Sequence, residues 1–127
     1  MMIGGVPIGT DDYIAASLAE KADEIVGYIE ATVASLSDHP HALWAALYYS
    51  YQTRFDFWLR HLEPYQYHTR TPASRIDDAL QRAAESMTYA GCFTDPHTSR
   101  RFHLPARHRG CGIRRRVELA PIAFAAC

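Results

Sequence analysis

The sequence predicts a mainly α fold: a bundle of three helices, preceded by a short extended segment and followed by an irregular basic region. Three observations predict it. Apolar residues recur every three or four positions in three successive stretches; the first nine residues are glycine-rich and broken by proline; and the periodicity is lost after Gly91, where Pro96, Pro105, Gly110 and Gly112 interrupt the chain. The expected division is therefore 1–9, an extended segment; 10–90, the helical bundle; and 91–127, the basic irregular region with a short terminal helix.

The opening Gly4-Gly5-Val6-Pro7-Ile8-Gly9 fits a short extended segment with a turn. Thr10 then offers its hydroxyl as an N-cap, and Asp11 and Asp12 fall in the first turn, where the helix dipole favours negative charge. Ile14, Leu18, Ala22, Ile25, Ile29, Val33 and Leu36 form a stripe about six turns long, which defines the first helix. It should end near Ser37-Asp38, with Asp38 as the cap of a second helix and Pro40 in its first turn.

The second helix, over 40–62, has the strongest pattern. Trp44, Tyr48, Tyr51, Phe55, Trp58 and Leu62 alternate spacings of four and three, which sets five aromatics on one face, while Leu43, Leu47 and Leu59 widen it. Glu63-Pro64 stops the helix, because proline disfavours helical backbone in the residue before it. Thr71-Pro72 reads as a cap and first-turn pair, and Ile76, Leu80, Ala83 and Met87 carry a third helix over 72–88. A last apolar segment, 117–126, forms a turn or two of helix around Pro121. The chain begins in a strand-like segment and stops while still apolar, as expected of a fragment of a larger protein.

At 127 residues, 48% hydrophobic and 21% charged, the chain has the composition of one globular domain, which excludes a disordered tail, a collagen-like repeat and a multidomain enzyme. No apolar run approaches the roughly 18–20 residues of a membrane span, and the start lacks the basic region and apolar core of a secretory signal. The expectation is an intracellular chain, nuclear or cytoplasmic. Cys92, Cys111 and Cys127 make an odd number confined to the last third, so reduced thiols are expected rather than a disulfide framework.

The net charge of −1 conceals an asymmetry. Residues 1–64 carry nine acids against Lys21, Arg54 and Arg60, giving −6, whereas 65–127 carry five acids against ten arginines, giving +5. Between Arg100 and Arg116 there are seven arginines and no acid, with His103 and His108 interleaved. Such a stretch attracts phosphate or an acidic partner. The preference for arginine over lysine suits bidentate phosphate contacts, and it also follows from a GC-rich coding sequence.

Each candidate chemistry has a plain structural counterpart. The carboxylate pairs Asp11-Asp12 and Asp77-Asp78 could hold magnesium, but one opens a helix and the other lies within one, where capping and solvated faces account for them. Cys92, His97, His103, His108 and Cys111 offer zinc ligands at spacings looser than zinc sites use. No nucleophile elbow or phosphate-binding glycine loop is present. The aromatic face of the second helix could stack bases, yet aromatics at helical spacing usually form core. Tyr65, Tyr67 and His68, beside Arg70, are the better stacking candidates.

Two separated segments resemble one family. Gly4-Gly5-Val6-Pro7-Ile8-Gly9 resembles the "LGVPIG" or "YLGxPLG" stretch that follows the palm in reverse transcriptases of non-LTR (LINE-type) retroelements, where it forms the primer grip. Leu104-Pro105-Ala106-Arg107-His108-Arg109-Gly110-Cys111-Gly112-Ile113-Arg114, with Glu118-Leu119-Ala120-Pro121-Ile122-Ala123-Phe124 after it, resembles "LPxRxGGLGIRxxxxxAPAAF" farther downstream in the same proteins. Between them, Arg54-Phe55-Asp56-Phe57-Trp58-Leu59-Arg60-His61-Leu62-Glu63-Pro64 and Ile76-Asp77-Asp78-Ala79-Leu80 are similar to the "YLLRxLPP" and "IDxAL" of the thumb. The chain departs from the pattern where an expected glycine is Arg109 and where "GLG" is Gly110-Cys111-Gly112.

The resemblance implies a thumb-like bundle without fingers or palm. The parent would copy RNA into DNA with magnesium, but the catalytic aspartates of the palm are absent, so no catalytic or metal-binding residue and no cofactor is expected in this chain. Its part would be to hold an RNA–DNA or RNA template-primer. Gly5 and Gly9 would approach the primer end through backbone, and Arg54, Arg60, Arg107, Arg109 and Arg114 would contact phosphates without reading sequence. The palm, or a second copy of the chain, would be a partner. The rival expectation is a small helical protein–protein interaction module presenting its aromatic helix face; a zinc-binding regulator and a remnant without function stand behind it.

Overall fold

The computed structural model describes residues 1–87 and 95–126. The chain opens with a hairpin: β1 (Met2–Ile3) pairs antiparallel with β2 (Val6–Pro7), Met2 opposite Pro7 and Ile3 opposite Val6. Gly4 and Gly5 make the turn with φ of +59° and +83°, the left-handed backbone that a two-residue hairpin loop requires.

Helix α1 (Asp11–Ser35) starts as its sequence dictates, with the Thr10 hydroxyl accepting the Tyr13 N–H at 3.3 Å. Its stripe is the core face: Leu18, Ala22, Ile25 and Ile29 are buried, with Ile14, Val33 and Leu36 half-buried against them. Helix α2 (Pro40–Tyr49) has His39, not Asp38, at its N-cap. Pro40 at the first helical position forces the non-helical residue to be the one immediately before it.

The long second helix is interrupted. After α2 comes a 3-10 turn, Tyr51–Thr53, and then a short helix α3 (Asp56–His61). The side chains of Ser50, Gln52 and Thr53 take up the local backbone and one another: Gln52 Nε2 donates to the Tyr48 carbonyl (2.8 Å), Thr53 Oγ1 to the Ser50 carbonyl (3.1 Å), and Arg54 to Ser50 Oγ. Such local bonds compete with the helical ladder. Tyr51 meets Thr32 of α1 hydroxyl to hydroxyl at 2.6 Å, which fixes the interruption against the C-terminal part of α1.

The next helix, α4 (Tyr67–Ser86), begins five residues before the expected start at Pro72, so that proline lies inside it. Tertiary packing decides this, because His68, Thr69 and Pro72 are all buried by the earlier start. The expected end at Thr88 falls outside the described residues. Along α1 and α4 the cross-links rise in step, Asp12 with Tyr67, Asp23 with Arg75 and Glu30 with Arg82, so the two helices run parallel. Ala73, Ile76, Leu80 and Ala83 meet the α1 stripe.

The basic region is more ordered than expected. Asp95 caps α5 (Pro96–His103), accepting from the His97 N–H at 3.1 Å and the Thr98 hydroxyl at 3.2 Å. A 3-10 turn, Ala106–His108, follows, and α6 (Arg116–Ala125) closes the described chain. The segment 117–126 is docked on α3 and α4, with Ala120 buried and Val117, Leu119 and Ala123 half-buried. The mainly α class stands, but the expected three bundle helices and short terminal helix become six helices among the described residues, because 40–62 is split and α5 is added. No helix among them is long and apolar enough to cross a membrane.

Candidate nucleic-acid interface

Seven arginines within seventeen residues repel one another, so something must hold the segment in place. One of the seven does so. Arg116 is 1% exposed, with its Nε 3.7 Å from Asp56 Oδ1 of α3 and its Nη2 donating to the Arg114 carbonyl at 2.8 Å. Asp77 of α4 accepts the backbone N–H groups of Arg116 (2.6 Å) and Val117 (3.1 Å), and thereby caps α6 from 39 residues away. Two carboxylates on two helices thus clamp one guanidinium and one helix start.

Burial dominates the electrostatics of this clamp. It pushes the Asp77 carboxyl up to about 6, against the two N–H bonds and the Arg116 and Arg115 charges that favour the ionised form. Asp56 is likewise raised, chiefly by burial and against the attraction of Arg116, Arg60 and Arg114, while burial lowers Arg116. Desolvation outweighs pairing here, as in buried ion pairs generally.

Further ties set the basic loop on α2. Gln52 Oε1 accepts the Arg114 N–H (3.2 Å), Trp44 Nε1 donates to the Cys111 carbonyl (3.3 Å), and Ile113 is fully buried. Gly112, at φ +77°, lies so near α2 that a Cβ there would be 2.5 Å from the Tyr48 ring. Arg109 has φ +63°, the sole positive-φ residue other than glycine among those described, and it occupies the position where the retroelement pattern has a glycine.

The other six arginines of the stretch face outward. Arg100, Arg101, Arg107, Arg109 and Arg114 are exposed and Arg115 is half-buried, and none has a carboxylate within ion-pair distance among the described residues. Arg107 and Arg109 stand together on the 104–111 loop, where Arg101 Nε donates to the Arg109 carbonyl. Arg114 emerges beside Gln52. Arg54 belongs elsewhere: its guanidinium lies over the rings of Tyr28 and Tyr51, at 5.5 and 5.0 Å, near the end of α1. Arg60 is exposed on α3, close enough to Asp56 to stabilise its charge.

The hairpin forms a second locus. Trp58 Nε1 donates to the Gly5 carbonyl at 3.2 Å and the Phe57 ring lies beneath Gly5, so the turn is seated on α3. Gly9 leads into α1 beside Tyr13. Met1, Met2, Ile3, Ile8 and Phe57 are exposed around this turn.

Of the stacking candidates, Tyr65 is exposed, Tyr67 reaches the Asp12 carboxylate at 3.4 Å, and His68 is buried. The aromatic stripe of 44–58 faces inward: Phe55 is fully buried, and Trp44, Tyr48, Tyr51 and Trp58 are half-buried. Neither aspartate pair offers two free carboxylates for a metal, since Asp77 holds α6, Asp12 takes the Tyr67 hydroxyl and Asp11 lies 4.0 Å from His68. Neither pair therefore presents a fitting ligand set for magnesium. Among the described residues no three His, Cys, Asp or Glu side chains converge as for a metal ion; Cys92 and Cys127 lie outside them, and Cys111 is an exposed thiol. Set against family models, curated proteins and solved structures, the chain finds no match.

Sequence reasoning singled out the arginines but not the clamp. Asp56, Asp77 and Gln52 carry no local signal of their role, because their partners lie 39 to 62 residues away. In sequence, nothing distinguishes Arg116 from the other six arginines of the stretch.

Proposed function

We propose that the chain is a thumb-like part of a non-LTR retroelement reverse transcriptase that holds template-primer nucleic acid by its backbone and is not catalytic by itself. The observation that carries this reading is the set of six outward arginines without carboxylate partners, displayed on a surface that buried Arg116 anchors. Cations left unpaired on a fixed surface are what sequence-independent phosphate contact needs. Two further features support it. The Gly4-Gly5 turn is seated on α3 as a primer-grip hairpin would be, and Arg109 adopts backbone suited to the glycine of the family pattern. The exposed apolar residues around the hairpin fit the docking of a palm domain, which the parent would supply.

Titration of a fluorescent RNA–DNA hybrid at several salt concentrations tests the reading. With four to five phosphates engaged, log affinity should fall with log salt at a slope of about −4, and Arg107→Gln or Arg114→Gln should each reduce that slope by about one. A flat salt dependence, or no binding at low salt, refutes it.

A further inference from the structure

Away from Arg107, Arg109 and Arg114, a cleft of about 430 Å³ opens between α5 and the start of α6, with Ser99, Arg100, His103, Arg115 and Glu118 among its walls. A recess of about 220 Å³ adjoins it, sharing His103, Arg115 and Glu118 and adding Asp77, Asp78 and Gln81. Arg100 lines only the larger cleft and Asp77, Asp78 and Gln81 only the recess, while Arg115 and Glu118 line both, so charge grades from cationic to acidic along the concavity.

Neither Arg100 nor Arg115 has an ion-pair partner among the described residues, and Glu118 stands in the same cleft without coming within 4.0 Å of either. His103 between them is fixed: its Nδ1 bonds the Ile113 carbonyl at 2.9 Å, which makes Nδ1 the protonated nitrogen. Its Nε2 is buried and without a hydrogen-bond partner. Two cations lining one cleft without an ion-pair partner, beside an unsatisfied imidazole nitrogen, leave polar groups that a ligand can satisfy.

We infer that this cleft binds a nucleotide through its phosphate, with Arg100 and Arg115 on the phosphate oxygens and the Asp78 and Glu118 carboxylates toward the amino-bearing edge of the base. The chemistry of each end selects the ligand. Two guanidiniums suit a phosphate dianion, and carboxylates accept from exocyclic base amines such as cytosine N4. The volume is that of a small-molecule pocket rather than of a bare-ion site. The inference stands whether or not the arginines of 107–114 grip a duplex. The nucleotide has two possible sources, a free nucleoside monophosphate or the phosphorylated end of a strand.

The test is calorimetric titration with cytidine 5′-monophosphate and with cytidine, followed by short DNA oligonucleotides with a 5′-phosphate or a 5′-hydroxyl. The monophosphate should bind about tenfold or more tightly than cytidine, Arg100→Gln and Arg115→Gln should each weaken it by about tenfold, and Arg82→Gln, an exposed arginine outside the cleft, should leave it unchanged. Tighter binding of the 5′-phosphorylated than of the 5′-hydroxyl oligonucleotide, by a margin that Arg100→Gln abolishes, assigns the strand end as the source; equal binding of the two oligonucleotides assigns the free nucleotide. Equal binding of cytidine and its monophosphate overturns the inference. So does equal weakening by Arg82→Gln, or the absence of both heat and movement of the His103 ring signals with the monophosphate. Arg100 is exposed and unpaired, so Arg100→Gln keeps the test valid if Arg115→Gln proves less stable.

Discussion

Replacing Asp77 by alanine removes the cap that α4 supplies to α6. Two backbone donors, the N–H groups of Arg116 and Val117, lose their acceptor, and Arg116 loses one of its two neighbouring carboxylates. An uncompensated buried donor costs about 1–3 kcal/mol and a lost N-cap about 1 kcal/mol, terms that overlap, so Asp77→Ala should destabilise by about 3 kcal/mol. The urea midpoint should fall by roughly 1–2 M, read by far-UV circular dichroism. Hydrogen exchange should show α6 amides opening first. Asp77→Asn separates charge from shape. The folded carboxyl titrates near 6, above its ordinary 3.8, so folding takes up a proton between those values. The contribution is therefore fully present below about pH 4 and is lost as pH rises to about 6, a swing of about 3 kcal/mol. Asp56 shifts in the same direction, so the informative quantity is the difference between the two proteins. The asparagine variant should show a pH dependence smaller by about that amount. An alanine variant with an unchanged urea midpoint and unchanged α6 exchange would refute the capping argument; parallel pH profiles for the wild type and Asp77→Asn would refute the titration.

Three other substitutions probe separate parts of the fold. Arg116→Ala takes the buried guanidinium from beside Asp56 and leaves that carboxylate without its ion-pair partner, which should cost about 3–5 kcal/mol, measured by urea unfolding. Gly112→Ala places a Cβ 2.5 Å from the Tyr48 ring at positive φ, costing about 1–3 kcal/mol; release of the Trp44–Cys111 bond should appear as a shift in tryptophan emission. Trp58→Phe keeps the ring but removes the hydrogen bond to Gly5, so hairpin amides should exchange faster while global stability falls by about 1 kcal/mol.

The regular parts of this fold were readable because they depend on near neighbours. The α1 stripe and the Thr10 cap are local patterns, and the structure follows them residue by residue. The break in 40–62 was hidden because an apolar spacing of three and four continues through Ser50-Tyr51-Gln52-Thr53, while hydrogen bonds from those side chains interrupt the backbone. Helix α5 was missed for the opposite reason. It buries a single residue, Phe102, and so has no periodicity to detect, although Asp95-Pro96 is a sound start signal. In the basic stretch, outward arginines are the default for that residue type, but the sequence alone could not show that one of seven points inward. That assignment rests on Asp56 and Asp77, which come together only in three dimensions.

The ties that seat the C-terminal segment join Trp44 to Cys111, Gln52 to Arg114 and Asp77 to Arg116, across 67, 62 and 39 residues. Closing such loops costs chain entropy before any contact forms, so during synthesis α1 to α4 can associate while this segment is still emerging. Ile113 and Ala120 join the core after α1 to α4, and Phe55 and Leu59 wait for the α6 that packs on α3. The arginine surface is therefore organised only once α6 has docked, and a nascent chain that has not yet added Arg116–Ala125 has helices but no organised cationic face.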